Sequence, residues 1–185
     1  MWTGILRRLS GWLKSCAAQG GATVEAAGPG AELRDDVVIL AVYYPGTLEF
    51  ARELGDRLAG KVVVDISNPL NQTFDGLATA PGTSAVEEVA AAAPAGARVV
   101  KAFNTTFAGT LVDGQVAGQP LDVFLAGDDE GAKETVAQLV RDGGLRAIDT
   151  GPLERARQLE GLGFLGITLQ QPLGLNFQSA WNLIS

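Results

Sequence analysis

Apolar residues run without alternation from Val37 through Val38, Ile39, Leu40, Ala41 and Val42 to Tyr43, directly ahead of Tyr44-Pro45-Gly46. Such a run predicts a strand buried on both faces, as in a parallel sheet covered by helices. Pro45-Gly46 turns the chain. Thr47 is placed to cap a helix whose apolar positions Leu48, Ala51, Leu54 and Leu58 lie three or four apart. A second buried strand, residues 61–66, ends in Ser67-Asn68-Pro69-Leu70. Strand, helix and strand together fill about thirty residues, the size of one βαβ unit. Such sheets bind ligands beyond the carboxyl ends of their strands, so Tyr43-Tyr44 and Asn68-Pro69 are the first candidate positions.

The same alternation continues. After a polar loop at 67–82, Ser84 and Glu87 form a capping box for a helix with Val86, Val89, Ala90 and Ala93 on one face. Residues 98–103 read as a strand ending in Asn104-Thr105-Thr106-Phe107, and a Gly-rich segment, 108–120, follows. Residues 121–126 are the next strand. Asp128 or Asp129 caps a helix carrying Ala132, Val136, Leu139 and Val140, and this capping outweighs an acid–base role for the pair. Residues 145–149 complete the strands. In 153–184, Leu159, Leu162, Phe164, Leu165, Ile167 and Leu169 wrap all round a helix, which predicts burial on several sides, at a subunit interface or a pocket wall. Pro172 breaks or kinks it.

Ahead of the first strand, residues 5–19 form a helical pattern with Ile5, Leu9, Trp12, Leu13 and Cys16 on one face. A helix packed on the domain is favoured over one lying on a membrane surface. Residues 22–26 are a short strand candidate and Gly28-Pro29-Gly30 a turn.

The chain has 185 residues, enough for one domain with a small appendage. Its net charge of −7 argues against a nucleic-acid partner. The first 24 residues carry +3 and the remainder −10, with 11 basic against 21 acidic residues. A single cysteine, Cys16, excludes an internal disulfide and suits a reducing cytoplasm. There is no histidine, the commonest acid–base residue and metal ligand, and no metal site is expected. No apolar run is long enough to span a membrane.

The strand-end phrases ILAVYYP, VVVDISNPL, VVKAFNTTF, VFLAGDD and AIDTGPL, taken in order, resemble the coenzyme F420-dependent NADP oxidoreductases. The resemblance covers about residues 22–185. It implies a Rossmann-like, three-layer, mainly parallel α/β sheet, and hydride transfer between NADP(H) and a deazaflavin such as coenzyme F420. It implies that Val42 and Tyr43 lie against the cofactor, that Asn68 and Pro69 flank the nicotinamide, and that Asn104 and Thr105 close the opposite side of the crevice. Read singly, Asn68 also fits a turn cap and Asn104-Thr105 a strand terminus. No catalytic acid or base is named, because in hydride transfer the cofactor carries the chemistry and the protein positions the rings.

The family opens with a strand, a GxGxxG phosphate loop and a helix, and no recognisable counterpart precedes Val37. Gly28-Pro29-Gly30 offers Leu33 in place of the third glycine, and Pro29 has no N–H for a phosphate. The expectation is a truncated or alternatively started product that binds NADPH weakly, since the diphosphate loses its helix N-terminus. The expected organisation is an atypical N-terminal helix at 1–21, an N-terminally incomplete dinucleotide-binding domain at 22–152, and a helical segment at 153–185 that forms a homodimer. The alternative is a non-catalytic dinucleotide-binding-like interaction or structural protein.

Overall fold

A computed structural model of the chain describes Gly28 and residues 30–184. The helix expected at 5–19 and the strand at 22–26 lie outside the described residues. The chain divides into two units, Met1–Arg34 and Asp35–Ser185. Of the first, the Ala31 N–H donates to the Gly28 carbonyl (3.0 Å), closing the expected turn.

The second unit is a five-stranded sheet with helices on its faces. Its elements are β1 (Val37–Leu40), α1 (Gly46–Leu54), β2 (Val62–Asp65), α2 (Ala85–Ala92), β3 (Arg98–Lys101), α3 (Ala108–Asp113), β4 (Gln115–Val116), β5 (Gln119–Pro120), β6 (Asp122–Gly127), α4 (Glu130–Asp142), β7 (Arg146–Asp149), α5 (Ala156–Thr168) and α6 (Gln170–Leu173). The order is β1-β2-β3-β6-β7, with β4 and β5 forming a separate hairpin. β1, β2 and β3 are parallel, β6 runs antiparallel to β3, and β7 is parallel to β6. The sheet is Rossmann-like and mainly parallel.

Alternation of side chains sends Val62, Val64 and Val100 to one face, where α4 supplies Ala132, Val136 and Val140 and β6 supplies Val123 and Leu125. Burying each Val or Leu of this cluster stabilises the fold by about 1.5–3 kcal/mol. Val63 and Val99 point to the other face, with the buried Ala51, Leu54, Val86 and Val89 of α1 and α2.

Three expectations are corrected. The apolar run at 37–43 is a strand only as far as Leu40, and Ile39 is 47% exposed. Among the described residues β1 has β2 alone as a hydrogen-bonded neighbour, and its exposed Ile39 shows that it is not buried on both faces. Thr47 does not cap α1. It is buried in the first turn and donates its hydroxyl proton to the Val42 carbonyl (2.9 Å), while Pro45 occupies the cap position. Leu139 faces solvent, because α4 buries Ala132, Lys133, Val136, Ala137 and Val140 instead. The expected caps at α2 and α4 form. Ser84 Oγ accepts from the Glu87 N–H and donates to its carboxylate (3.3 and 2.7 Å), and Asp129 accepts from the Ala132 N–H (2.7 Å).

α5 is the element least like its sequence pattern. It buries Ala156, Leu159, Glu160, Gly163 and Gly166, a face of small residues with one carboxylate, and leaves Leu165 largely exposed. Large apolar side chains all round the helix do not translate into burial all round it, because close contact is made through the glycines. α5 ends at Thr168, and Pro172 sits in the single turn of α6, where its missing N–H costs no helical hydrogen bond. Residues 174–184 form an irregular tail with turns at Gly174 and Asn176-Phe177 rather than a helix. Leu183 N–H donates to Asp122 (2.6 Å) and Asn182 Nδ2 to the Pro120 carbonyl (3.0 Å), tying the tail to the start of β6.

Candidate active site

Three strand ends, β1, β2 and β3, open on one cleft of about 1070 Å³. Ala41 to Pro45 form one wall after β1, Ile66 to Asn68 the floor after β2, and Asn104, Thr106 and Phe107 the wall after β3. Leu70, Phe74, Ile167 and Phe177 add apolar lining. Among the described residues, none that lines it carries a charge.

Asn68 and Asn104 are joined reciprocally. Asn68 Nδ2 donates to the Asn104 carbonyl (2.7 Å), and Asn104 Nδ2 donates to Asn68 Oδ1 (2.9 Å). Asn104 Nδ2 also donates to the Leu159 carbonyl of α5 (2.8 Å), so both its protons are committed. Asn104 Oδ1 and Ser67 Oγ are buried atoms without a partner, and both residues line the cleft. A buried acceptor left unpaired costs about 1–3 kcal/mol. Both atoms are themselves covered, so they mark polar strain in the cleft floor rather than groups open to a ligand.

Behind this floor lies an ion cluster that the strand pattern did not single out. Lys101 is completely buried, and its Nζ donates to Asp65 Oδ2 (2.7 Å), Glu160 Oε1 (2.9 Å) and the Ser67 carbonyl (2.5 Å). Asp65 and Lys101 are register partners at the ends of β2 and β3. Glu160 also accepts from the N–H groups of Ala85 and Val86 at the start of α2 (3.0 and 3.3 Å). Burial pushes the Glu160 carboxyl above its ordinary range, opposed by the charge and hydrogen bond of Lys101 and the Ala85 N–H. The signal was present in sequence: a lone charge inside each of the apolar runs VVVDI and VVKAF.

Tyr44, just past β1, donates its hydroxyl to Glu88 (2.8 Å). Burial, the bond to Glu88 and the charges of Glu88 and Glu160 push that hydroxyl up to about 12, so it stays protonated. Phe177 meets Phe107 edge-on, with ring centres 5.2 Å apart. Phe177 has a positive φ of 58°, and the buried Gln170 holds it there by accepting from its N–H (2.8 Å).

The sequence candidates separate into two groups. Val42, Tyr43, Asn68 and Asn104 line the cleft, with Tyr43 93% exposed at its rim. Pro69 and Thr105 do not line it and are buried. Thr106, Phe107, Ile167 and Phe177 were not named and do line it. One further pattern went unread: Gly161-Leu162-Gly163-Phe164-Leu165-Gly166 is a literal GxGxxG. It lies inside α5 and not between a strand and a helix, so it forms no phosphate loop. Its glycines serve close packing instead. A Cβ on Gly163 would collide with the Asn68 side chain and lie 3.0 Å from Asn104 Nδ2, and one on Gly166 would lie 3.0 Å from Trp181 Nε1.

Among the described residues, no group of three or more metal-ligating side chains is assembled and no helix is long and apolar enough to cross a membrane. No family model matches the chain. The chain is 35% identical over 133 residues to the F420-dependent NADP reductase of Methanocaldococcus jannaschii, covering 69% of this chain and 58% of that protein. It is 30% identical over 152 residues to the enzyme of the same name from Methanothermobacter thermautotrophicus, covering 78% and 64%. The chain thus spans about three fifths of the length of these curated relatives. The crystal structure of an Arthrobacter sp. FB24 protein assigned as an F420-dependent NADP-reductase superposes with a TM-score of 0.74 at 31% identity, over 82% of this chain and 71% of that one. With the strand order, the strand-end phrases and these likenesses in agreement, the chain belongs to the F420-dependent NADP reductase family.

Proposed function

We propose that the cleft holds the nicotinamide half of NADP(H) and a hydride partner of deazaflavin type, and that the chain acts in the cytoplasm as an NADP(H)-dependent oxidoreductase. The observation that carries this reading is the uncharged cleft at the ends of β1–β3. An uncharged, largely apolar cleft suits a flat ring, with Ser67, Asn68 and Asn104 as polar residues of its lining. When bound, the cofactor supplies or takes the hydride. The chain's residues bind and orient: Asn68 and Asn104 at the floor, with Pro69 and Thr105 buried behind them, Val42 and Tyr43 along one wall, Phe107 and Phe177 as apolar lining that excludes water.

NADPH fluorescence titration, followed by stopped-flow mixing with oxidised F420, tests the assignment. Asn68→Ala removes the reciprocal bond to Asn104, worth about 1–1.5 kcal/mol. Hydride transfer is then expected to slow about tenfold. Native chain that reduces no deazaflavin, whether or not it binds NADPH, would overturn the oxidoreductase reading and favour the non-catalytic alternative.

The homodimer is proposed to form through the 153–185 segment, a reading supported by Leu165 and Leu173, which are 46% and 61% exposed. Sedimentation should give a dimer of the 19.2 kDa chain, converted to monomer by Leu165→Glu with Leu173→Glu. A native monomer at high micromolar concentration would count against it.

A further inference from the structure

We propose that the Asp65–Lys101–Glu160 cluster is a positioning device that sets the Asn68–Asn104 floor of the cleft, and that Lys101 is its central positioning residue. The proposal rests on the reading of the cleft given above, and touches neither cofactor nor acceptor directly.

The path is continuous. Ser67, the residue before Asn68, has both backbone groups held by the cluster. Its N–H donates to Asp65 Oδ1 (3.1 Å), and its carbonyl accepts from Lys101 Nζ. Asn104, three residues beyond Lys101, donates to the carbonyl of Leu159, and the next residue, Glu160, accepts from Lys101. The two asparagines are thus fixed from both sides by one ammonium: Asn68 through the Ser67 turn, and Asn104 through the seat of α5. Lys101 uses its three donors on three acceptors, one of them a main-chain carbonyl at the cleft floor. Buried ion clusters are often replaceable by well-packed neutral residues at little cost to stability, so the bond to the cleft-floor carbonyl leaves room for a positioning role beside the structural one.

The test is the triple variant D65N/K101M/E160Q, neutral throughout and close to native volume. The side-chain amide protons of Asn68 and Asn104 are read by nitrogen–proton NMR without any ligand. Native chain is expected to hold both pairs in slow exchange with water. The folded triple variant is expected to lose that protection at both residues, and to show kcat for NADPH oxidation about tenfold lower with KM changed less than about threefold. Native amide shifts and exchange rates in the folded triple variant would overturn the proposal. Should that variant not fold, E160Q alone is read the same way: lost protection at Asn104 supports the proposal and native exchange overturns it. Because the amide readout needs no cofactor, native chain that fails to oxidise NADPH would remove the functional reading and leave the positioning question decided separately.

Discussion

Lys101→Met alone is expected to be the most damaging single substitution in the chain, destabilising it by about 3–5 kcal/mol. The side chain fits the same volume, so the loss is electrostatic. Asp65 and Glu160 would remain buried, facing one another with no cation between them. The Ser67 carbonyl would also lose its donor. The pH dependence distinguishes this cause from poor packing. The Glu160 carboxyl already lies above its ordinary value of 4.5, chiefly through burial, and Lys101 is the principal influence holding it down. Removing Lys101 raises it further. A carboxyl whose folded pKa exceeds its unfolded one keeps its proton longer in the folded state, so its stability penalty grows as pH rises above the unfolded value. The groups facing it from the packed elements are Lys101, Asp65, the Tyr44 hydroxyl and the Ala85 and Val86 N–H groups, and none of the others supplies a replacement cation. Lys101→Met should therefore be most stable near pH 4 and lose stability steadily towards pH 7, the reverse of ordinary acid denaturation. Urea denaturation across that range checks it. A variant whose deficit is the same at every pH would point to packing.

Gly163→Ala is expected to abolish most of the site's function with little change in stability. Alanine in a helix interior is favoured over glycine by about 1 kcal/mol. The added methyl meets Asn68 and Asn104, with Asn68 Cγ at 2.9 Å and Asn104 Nδ2 at 3.0 Å. Overpacking of this kind costs about 1–3 kcal/mol, so the two effects largely cancel in the thermal midpoint. They do not cancel in the cleft. Asn68 can leave only by giving up its bond to Asn104, and with it the geometry of the floor. The expected result is hydride transfer slowed by at least about tenfold, each tenfold being 1.36 kcal/mol of barrier. Gly161→Ala is the control, since a Cβ there meets nothing within 4 Å. Equal rates for both variants and the native chain would show that α5 does not press on the site.

The two predictions turn on features of different legibility. β2, β3 and β6 could be read from their apolar runs because a doubly covered strand leaves a signal in nearly every residue. The end of β1 could not, since residues 41–43 are as apolar as the strand but line a cleft. Asn68 and Asn104 were found because strand ends are few. Lys101, Asp65 and Glu160 were passed over because each is one charge among many, and only the register of β2 with β3 and the return of α5 bring them within 3 Å. Gly163 was invisible for a related reason. A glycine's function here is the space it leaves, and that space belongs to Asn68, 95 positions away along the numbering. The reversal of β6 could not be read at all. It follows from the short α3 and the β4–β5 hairpin, built from a Gly-rich stretch with no periodicity of its own.

That reversal separates two inheritances within one sheet. The carboxyl ends of β6 and β7 point away from the cleft, so Asp128 and Asp129 sit at the opposite end and serve the local backbone: Asp128 accepts from the Leu153 N–H and Asp129 caps α4. Selection on ligand chemistry can reach the tips of β1–β3 and the inner face of α5 without touching those loops. Drift, insertion or fusion at the 127–130 and 150–152 corners is registered by stability alone. Substitutions at the 127–130 and 150–152 corners are therefore expected to change stability while leaving the geometry of the β1–β3 tips as it is.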